Sequence, residues 1–220
     1  MDQVVYQEDD FQGAQGPLSA EAHFHPERYL LGFVQRVIRS GQPTRICCEV
    51  IGEILVDPTQ HSYCADSDNL PLLANMPAEA FRPFPWDKEK HIPIAKPRDL
   101  DELLWVAAYH ASAGRLLADA SKFDVISLNY WPNLSRLPGA PELMRLCALL
   151  CRRQHTLNLA RKLAGVSEEE AHRFYCAAMA CGALKRLSTP TALSKAEPEA
   201  ETVTFGKTLG MLWQRLIKAA

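Results

Sequence analysis

The stretch "TLNLARKLAGVSEEEAHRFYCAAMACGALKRL", Thr156 to Leu187, decides how this chain is read. Two apolar-periodic runs joined by "AGVS" predict a pair of helices with a tight turn at Gly165. Thr156 is placed to cap the first helix, and Gly182 stops the second. Ala171, Phe174, Tyr175 and Ala178 recur at i, i+3, i+4 and i+7, which gives the second helix a buried face. Its front edge carries Glu168, Glu169 and Glu170. A helix that reads DNA presents cations and amide or guanidinium donors from its first turns, and carboxylates there repel phosphate. Ser167 followed by Glu170 instead fits the S-x-x-E capping box, and acids at a helix N-terminus stabilise it by about 0.3–1 kcal/mol each.

Working outward, "PELMRLCALLCRR" (Pro141 to Arg153) is apolar on most sides and reads as the central helix of the C-terminal part. "ALKRLS" and "ETVTFG" read as the two strands of a wing, and "GKTLGMLWQRLIKAA" as a last amphipathic helix with Leu209, Leu212, Trp213, Leu216 and Ile217 on one face. That stripe is the candidate partner-binding surface, because an apolar helix face without a groove of its own is buried against something else. Helix, helix pair and wing together resemble winged helix-turn-helix domains over roughly residues 140 to 206. The resemblance implies DNA binding, for which the candidate phosphate contacts are Arg152, Arg153, Arg161, Lys162, Arg173, Lys185 and Arg186. With Arg145 these eight cations face four local acids, Glu142 and Glu168 to Glu170. The acidic front edge makes nucleic acid the second choice behind a protein partner or a second copy of the chain.

The N-terminal half has another character. Residues 1–22 are polar and aperiodic and read as a flexible arm. "PERYLLGFVQRVIRS" is an amphipathic helix, "TRICCEV", "EILVD" and "HSYCA" are short strands, and Asp57 with Pro58 makes a turn between the last two. Six prolines between Pro71 and Pro97 predict a covering loop. In "PRDLDELLWVAAYHASAGRLLADA", Asp99 is the N-cap, Glu102 lies three residues on, and Leu100, Leu103, Leu104, Ala107, Ala108 and Ala111 form one stripe. "FDVISL" is a further strand. The expected fold class is α+β: a small antiparallel sheet with packed helices, then a mainly α winged-helix-like domain and the amphipathic C-terminal helix. The corresponding boundaries are an arm at 1–22, an α+β domain at 23–128, a linker at 129–141, a winged-helix-like domain at 142–206 and the last helix at 207–220.

Composition narrows the function. Lys plus Arg is 24 against 26 Asp plus Glu, a formal charge of −2, so no global positive field favours nucleic acid or anionic lipid. "MDQVVYQEDD" lacks a basic n-region, and no apolar run reaches the roughly 18–20 residues that span a bilayer, so seven reduced cysteines in a cytoplasmic protein are expected. Cys47 and Cys48 are adjacent and point to opposite faces of a strand, so with His61 and Cys64 they do not make a zinc knuckle. Cys147 with Cys151, and Cys176 near Cys181, suit small buried apolar groups. No nucleophile elbow, Walker loop, dinucleotide fingerprint or H-E-x-x-H is present, so no catalytic residue, metal or cofactor is indicated. An enzyme whose site forms only in space would show a pocket with convergent polar groups.

Around "GEILVDPTQHSYCA" and "DLDELLWVAAYHASAGRLL", the N-terminal half resembles bacterial PATAN-type signalling domains over roughly residues 26 to 128. The resemblance implies a cytoplasmic adaptor of bacterial type acting through protein contacts, and it carries over no functional residue. The turn lacks the glycine and basic residues of that family, and the proline-rich 71–97 segment is foreign to it. The sequence therefore predicts a non-enzymatic signalling adaptor or regulatory subunit.

Overall fold

In the computed structural model, which describes residues 22–49, 52–65, 69–89, 95–137 and 141–188, the chain enters through β1 (His23–Phe24) and a single 3-10 turn at Pro26–Arg28. Helix α1 (Leu30–Ser40) follows, buried through Leu30, Leu31, Phe33, Val34 and Val37. Gly32 is required there, because a Cβ would come within 2.4 Å of the Glu27 backbone where α1 rests on the turn.

Strands β2 (Thr44–Cys48), β3 (Gly52–Asp57) and β4 (Ser62–Ala65) form an antiparallel meander. Its second connection is the expected Asp57 turn: Asp57 Oδ1 accepts from the Thr59 backbone N–H at 3.1 Å and from its hydroxyl at 2.6 Å. Helix α2 (Leu70–Asn75) and β5 (Phe81–Pro85) then occupy part of the segment read as a covering loop. β5 pairs with β2 and forms one edge of the sheet, the one place where Pro83 and Pro85 can sit in a strand without breaking a central ladder. β6 (Arg98–Asp99) pairs with β4 at the other edge, giving the order β5-β2-β3-β4-β6.

Helix α3 (Leu100–Ser112) is central to the whole core, while the helix starting at Pro141 was expected to be central only within the C-terminal part. Beyond its predicted stripe, Trp105, Val106 and Tyr109 are buried too, because α2 packs on one side and α6 on another. The strands β7 (Leu116–Leu117, parallel to β1) and β8 (Val125–Leu128) follow. Then come α4 (Pro141–Arg152), β9 (His155–Thr156), α5 (Leu157–Ala164), α6 (Glu168–Ala180) and β10 (Leu184–Ser188). In α4, Leu143, Leu146, Cys147 and Leu150 are buried while Met144 and Cys151 are exposed, so α4 is amphipathic, and Cys151 is not the buried group expected.

The α+β class is borne out, with small antiparallel sheets and the three C-terminal helices where periodicity placed them. The wing is built differently. β10, its expected first strand, pairs with β8, which comes from before α4, and β8 also pairs with β9, giving the order β10-β8-β9. Residues 129–141, read as a linker, thus connect strands and helices of one sheet and one continuous core that includes Leu128 and Trp105 before them and Leu143 and Phe174 after them. The expected second wing strand, the arm and the last helix, with Leu209, Leu212, Trp213, Leu216 and Ile217, lie outside the described residues. No described helix is long and apolar enough to cross a membrane.

Candidate functional site

Helix α6 holds the position of a reading helix but has no free face. Its N-cap is as expected: Ser167 Oγ accepts from the Glu170 N–H at 3.1 Å. Glu170 does not return the bond. Its carboxylate accepts from the Tyr109 hydroxyl of α3 at 2.5 Å instead, and burial together with that bond pushes the phenol pKa up. Glu168 lies 3.3 Å from Arg161. His172 Nδ1 lies 2.9 Å from the Gly114 carbonyl, and Phe174 meets Trp105 edge-on at 5.8 Å between centroids. From Glu170 to Ala180 no side chain is exposed.

The cations proposed for phosphate are divided by the same packing. Arg161 bonds Asn158 and Glu168, and Arg173 lies over the Tyr109 ring, 5.6 Å from its centroid. Arg186 bonds the Asp119 carbonyl at 2.9 Å and its carboxylate at 3.2 Å, and stands 3.7 Å from the wholly buried Asp124. Asp124 in turn accepts from the Tyr175 hydroxyl at 3.1 Å. Three of the seven are therefore engaged in holding the fold. Arg152, Arg153, Lys162 and Lys185 are exposed. Beside Lys162, α5 exposes Leu163 by 60% and Leu159 by 46%, and α4 exposes Met144 by 54%. Met144 was counted among the apolar positions of the helix at Pro141, whereas Leu159 and Leu163, which share a face at i, i+4, were not singled out.

A second candidate site lies at the start of α3, where a cleft of about 240 Å³ opens. Ladder pairing of Ser62 with Asp99, and a bond from the Leu100 N–H to the His61 carbonyl at 3.1 Å, bring the β3–β4 turn beside the helix N-terminus. His61 Nε2 then lies 2.9 Å from Asp101 and 3.7 Å from Asp99. The three ligand atoms lie within 4.8 Å of one another, close enough to share a cation, yet capping and ion pairing account for each of them without one. Asp99 caps α3 through the Asp101 N–H at 2.9 Å. Glu102, expected to complete that cap, is buried and paired with Arg98 instead.

Across the cleft from the helix start, the aperiodic segment after β8 supplies Tyr130, Trp131 and Arg136, with Trp105 among the lining side chains. The Tyr130 hydroxyl lies 3.0 Å from Asp101 Oδ2 and 2.7 Å from the Cys181 carbonyl, two acceptors sharing one proton. Near the cleft sits the buried Tyr63 hydroxyl, which has no hydrogen-bond partner; burial, and then the charge of Glu102, push its pKa up to about 12. His61, Asp99 and Asp101 are far apart in sequence or read as caps, so no motif announces this cleft. Comparison with family models, curated proteins and solved structures finds no match, and the functional reading rests on the residues themselves.

Proposed function

We propose that this chain is a cytoplasmic, non-enzymatic adaptor or regulatory subunit that acts through protein contacts, with a protein partner or a second copy of itself. The observation that carries the reading is the burial of α6 against α3. A helix can enter the major groove only with a free face about one helix wide, and here the first exposed residues are Glu168 and Glu169. What the helix pair presents outward is the apolar Leu159 and Leu163 of α5, apolar surface of the kind that the buried centre of a protein interface covers inside a polar rim. Lys162 supplies charge beside them. The cytoplasm is supported by seven cysteines without a disulfide among the described residues.

Two measurements test this. Fluorescence anisotropy with a random-sequence duplex at about 50 mM salt, where phosphate contacts are strongest, is expected to show no binding. Salt-sensitive duplex binding that is lost on replacing Arg152, Arg153, Lys162 and Lys185 by Gln sinks the proposal in favour of a DNA-binding regulator. Affinity capture is expected to lose its specific partner, or sedimentation its self-association, in a Leu159→Glu, Leu163→Glu double variant that melts like the parent. Removing residues 207–220 tests the amphipathic stripe Leu209 to Ile217 in the same assay.

A further inference from the structure

We infer that the cleft at the start of α3 is a binding site for a small zwitterion of the α-amino-acid class with an apolar or aromatic side chain. This goes beyond the adaptor reading and does not depend on it. The argument is one of charge and size. Asp99 and Asp101 line the cleft with side chains 68% and 37% exposed, so that beside the cap and the His61 and Tyr130 contacts they still present oxygen to the cleft, while Glu102 is paired with Arg98. Arg136 lines the same cleft, and no carboxylate pairs with it among the described residues. Opposite charges that share a cleft without closing on each other leave room for a ligand between them.

An amine alone would face Arg136, and a carboxylate alone would face Asp99 and Asp101. A molecule carrying both groups on one carbon satisfies both, through charge-assisted hydrogen bonds of the strong kind. The remaining lining is aromatic: Trp105 is wholly buried, while Tyr130 and Trp131 stay about half exposed. Half-exposed aromatic rings beside a charged group suit an apolar side chain on the ligand, or the face of a ring stacked on them. A volume of about 240 Å³ falls below the roughly 300–1,000 Å³ of sites for drug-sized molecules, which selects a single small metabolite.

Calorimetry of the full chain against L-phenylalanine, 2-phenylethylamine and 3-phenylpropanoate separates the two charges, since the second lacks the carboxylate and the third the ammonium. L-Leucine and L-tryptophan extend the series in side chain, and EDTA is present throughout so that a cation at His61, Asp99 and Asp101 plays no part. The amino acid is expected to bind at least about tenfold more tightly than either isostere. Arg136→Met should bring L-phenylalanine down to the level of the amine with its melting temperature unchanged, because Arg136 is exposed; Asp101→Asn, which also gives up the His61 ion pair, should bring it down to that of the carboxylate, with circular dichroism showing that the variant stays folded. Failure of all three amino acids to bind overturns the inference. So does equal binding of either isostere, which would show that one of the charges is unused.

Discussion

Helices α5 and α6 share one turn and one motif, and they differ in what surrounds them. α6 is packed on α3, and after Glu169 its side chains are buried or half-buried, whereas α5 turns Leu159, Lys162 and Leu163 outward. A helix pair that reads DNA presents the second helix and uses the first as a brace. Here the second helix is the brace. What the pair offers to the outside is decided by which helix the rest of the chain covers, and α3 covers α6.

The difference can be broken most sharply by cavity formation. Phe174→Ala, in the α3–α6 contact, is expected to cost about 3–5 kcal/mol, while Leu163→Ala on the exposed face of α5 should stay within about 0.5 kcal/mol. Urea denaturation of both variants checks this, and equal effects would mean that α6 is not held as described. Next in size is Arg186→Met. It leaves the wholly buried Asp124 carboxylate with only Tyr175 and the Ser121 N–H as donors, and a loss of about 3 kcal/mol is expected. Were Arg186 a free phosphate ligand, its removal would leave stability unchanged.

Smaller effects sharpen the same contrast. Ser167→Ala removes the cap of α6 and should cost about 1 kcal/mol in thermal or chemical unfolding. His110 of α3 is depressed below its ordinary pKa, first by burial and then by the charge of Arg173 on α6. The sign follows from linkage. Above the unfolded-state value of about 6.5 both states are neutral and stability is full; as pH falls through that value the unfolded chain takes up the proton first, and stability declines. Stability measured between pH 7.5 and 5.5 should therefore fall toward acid, and His110→Gln should flatten the slope.

The two N-terminal glutamates of the capping pattern show where reading by local rule stops. Glu102 in α3 and Glu170 in α6 both stand three residues after a capping side chain, and both caps accept their backbone N–H, from Asp101 and Glu170 respectively. Neither glutamate bonds back to its cap. Glu102 pairs with Arg98, four residues before it, and Glu170 accepts from Tyr109 of another helix, because a side-chain donor in a charge-assisted bond offers a carboxylate a stronger contact than an exposed backbone N–H does. The cleft was illegible for a related reason: ladder pairing brings His61 to Asp101, and the path of the segment after β8 brings Arg136 to the cleft that Asp101 lines.

Legible in the chain alone were the α+β class, the β2–β3–β4 meander with its Asp57 turn, the start of α3, and the starts and ends of α5 and α6. These depend on periodicity, turn chemistry and caps, whose causes lie within a few residues of their effects. It took long-range packing to make α3 the centre of the whole core, to put β8 in the place beside β10 expected of a second wing strand, and to cover α6 while leaving Leu159 and Leu163 of α5 exposed. Those outcomes depend on which apolar faces bury one another across tens of residues, and burial is non-directional: it specifies that a face is covered without specifying by what.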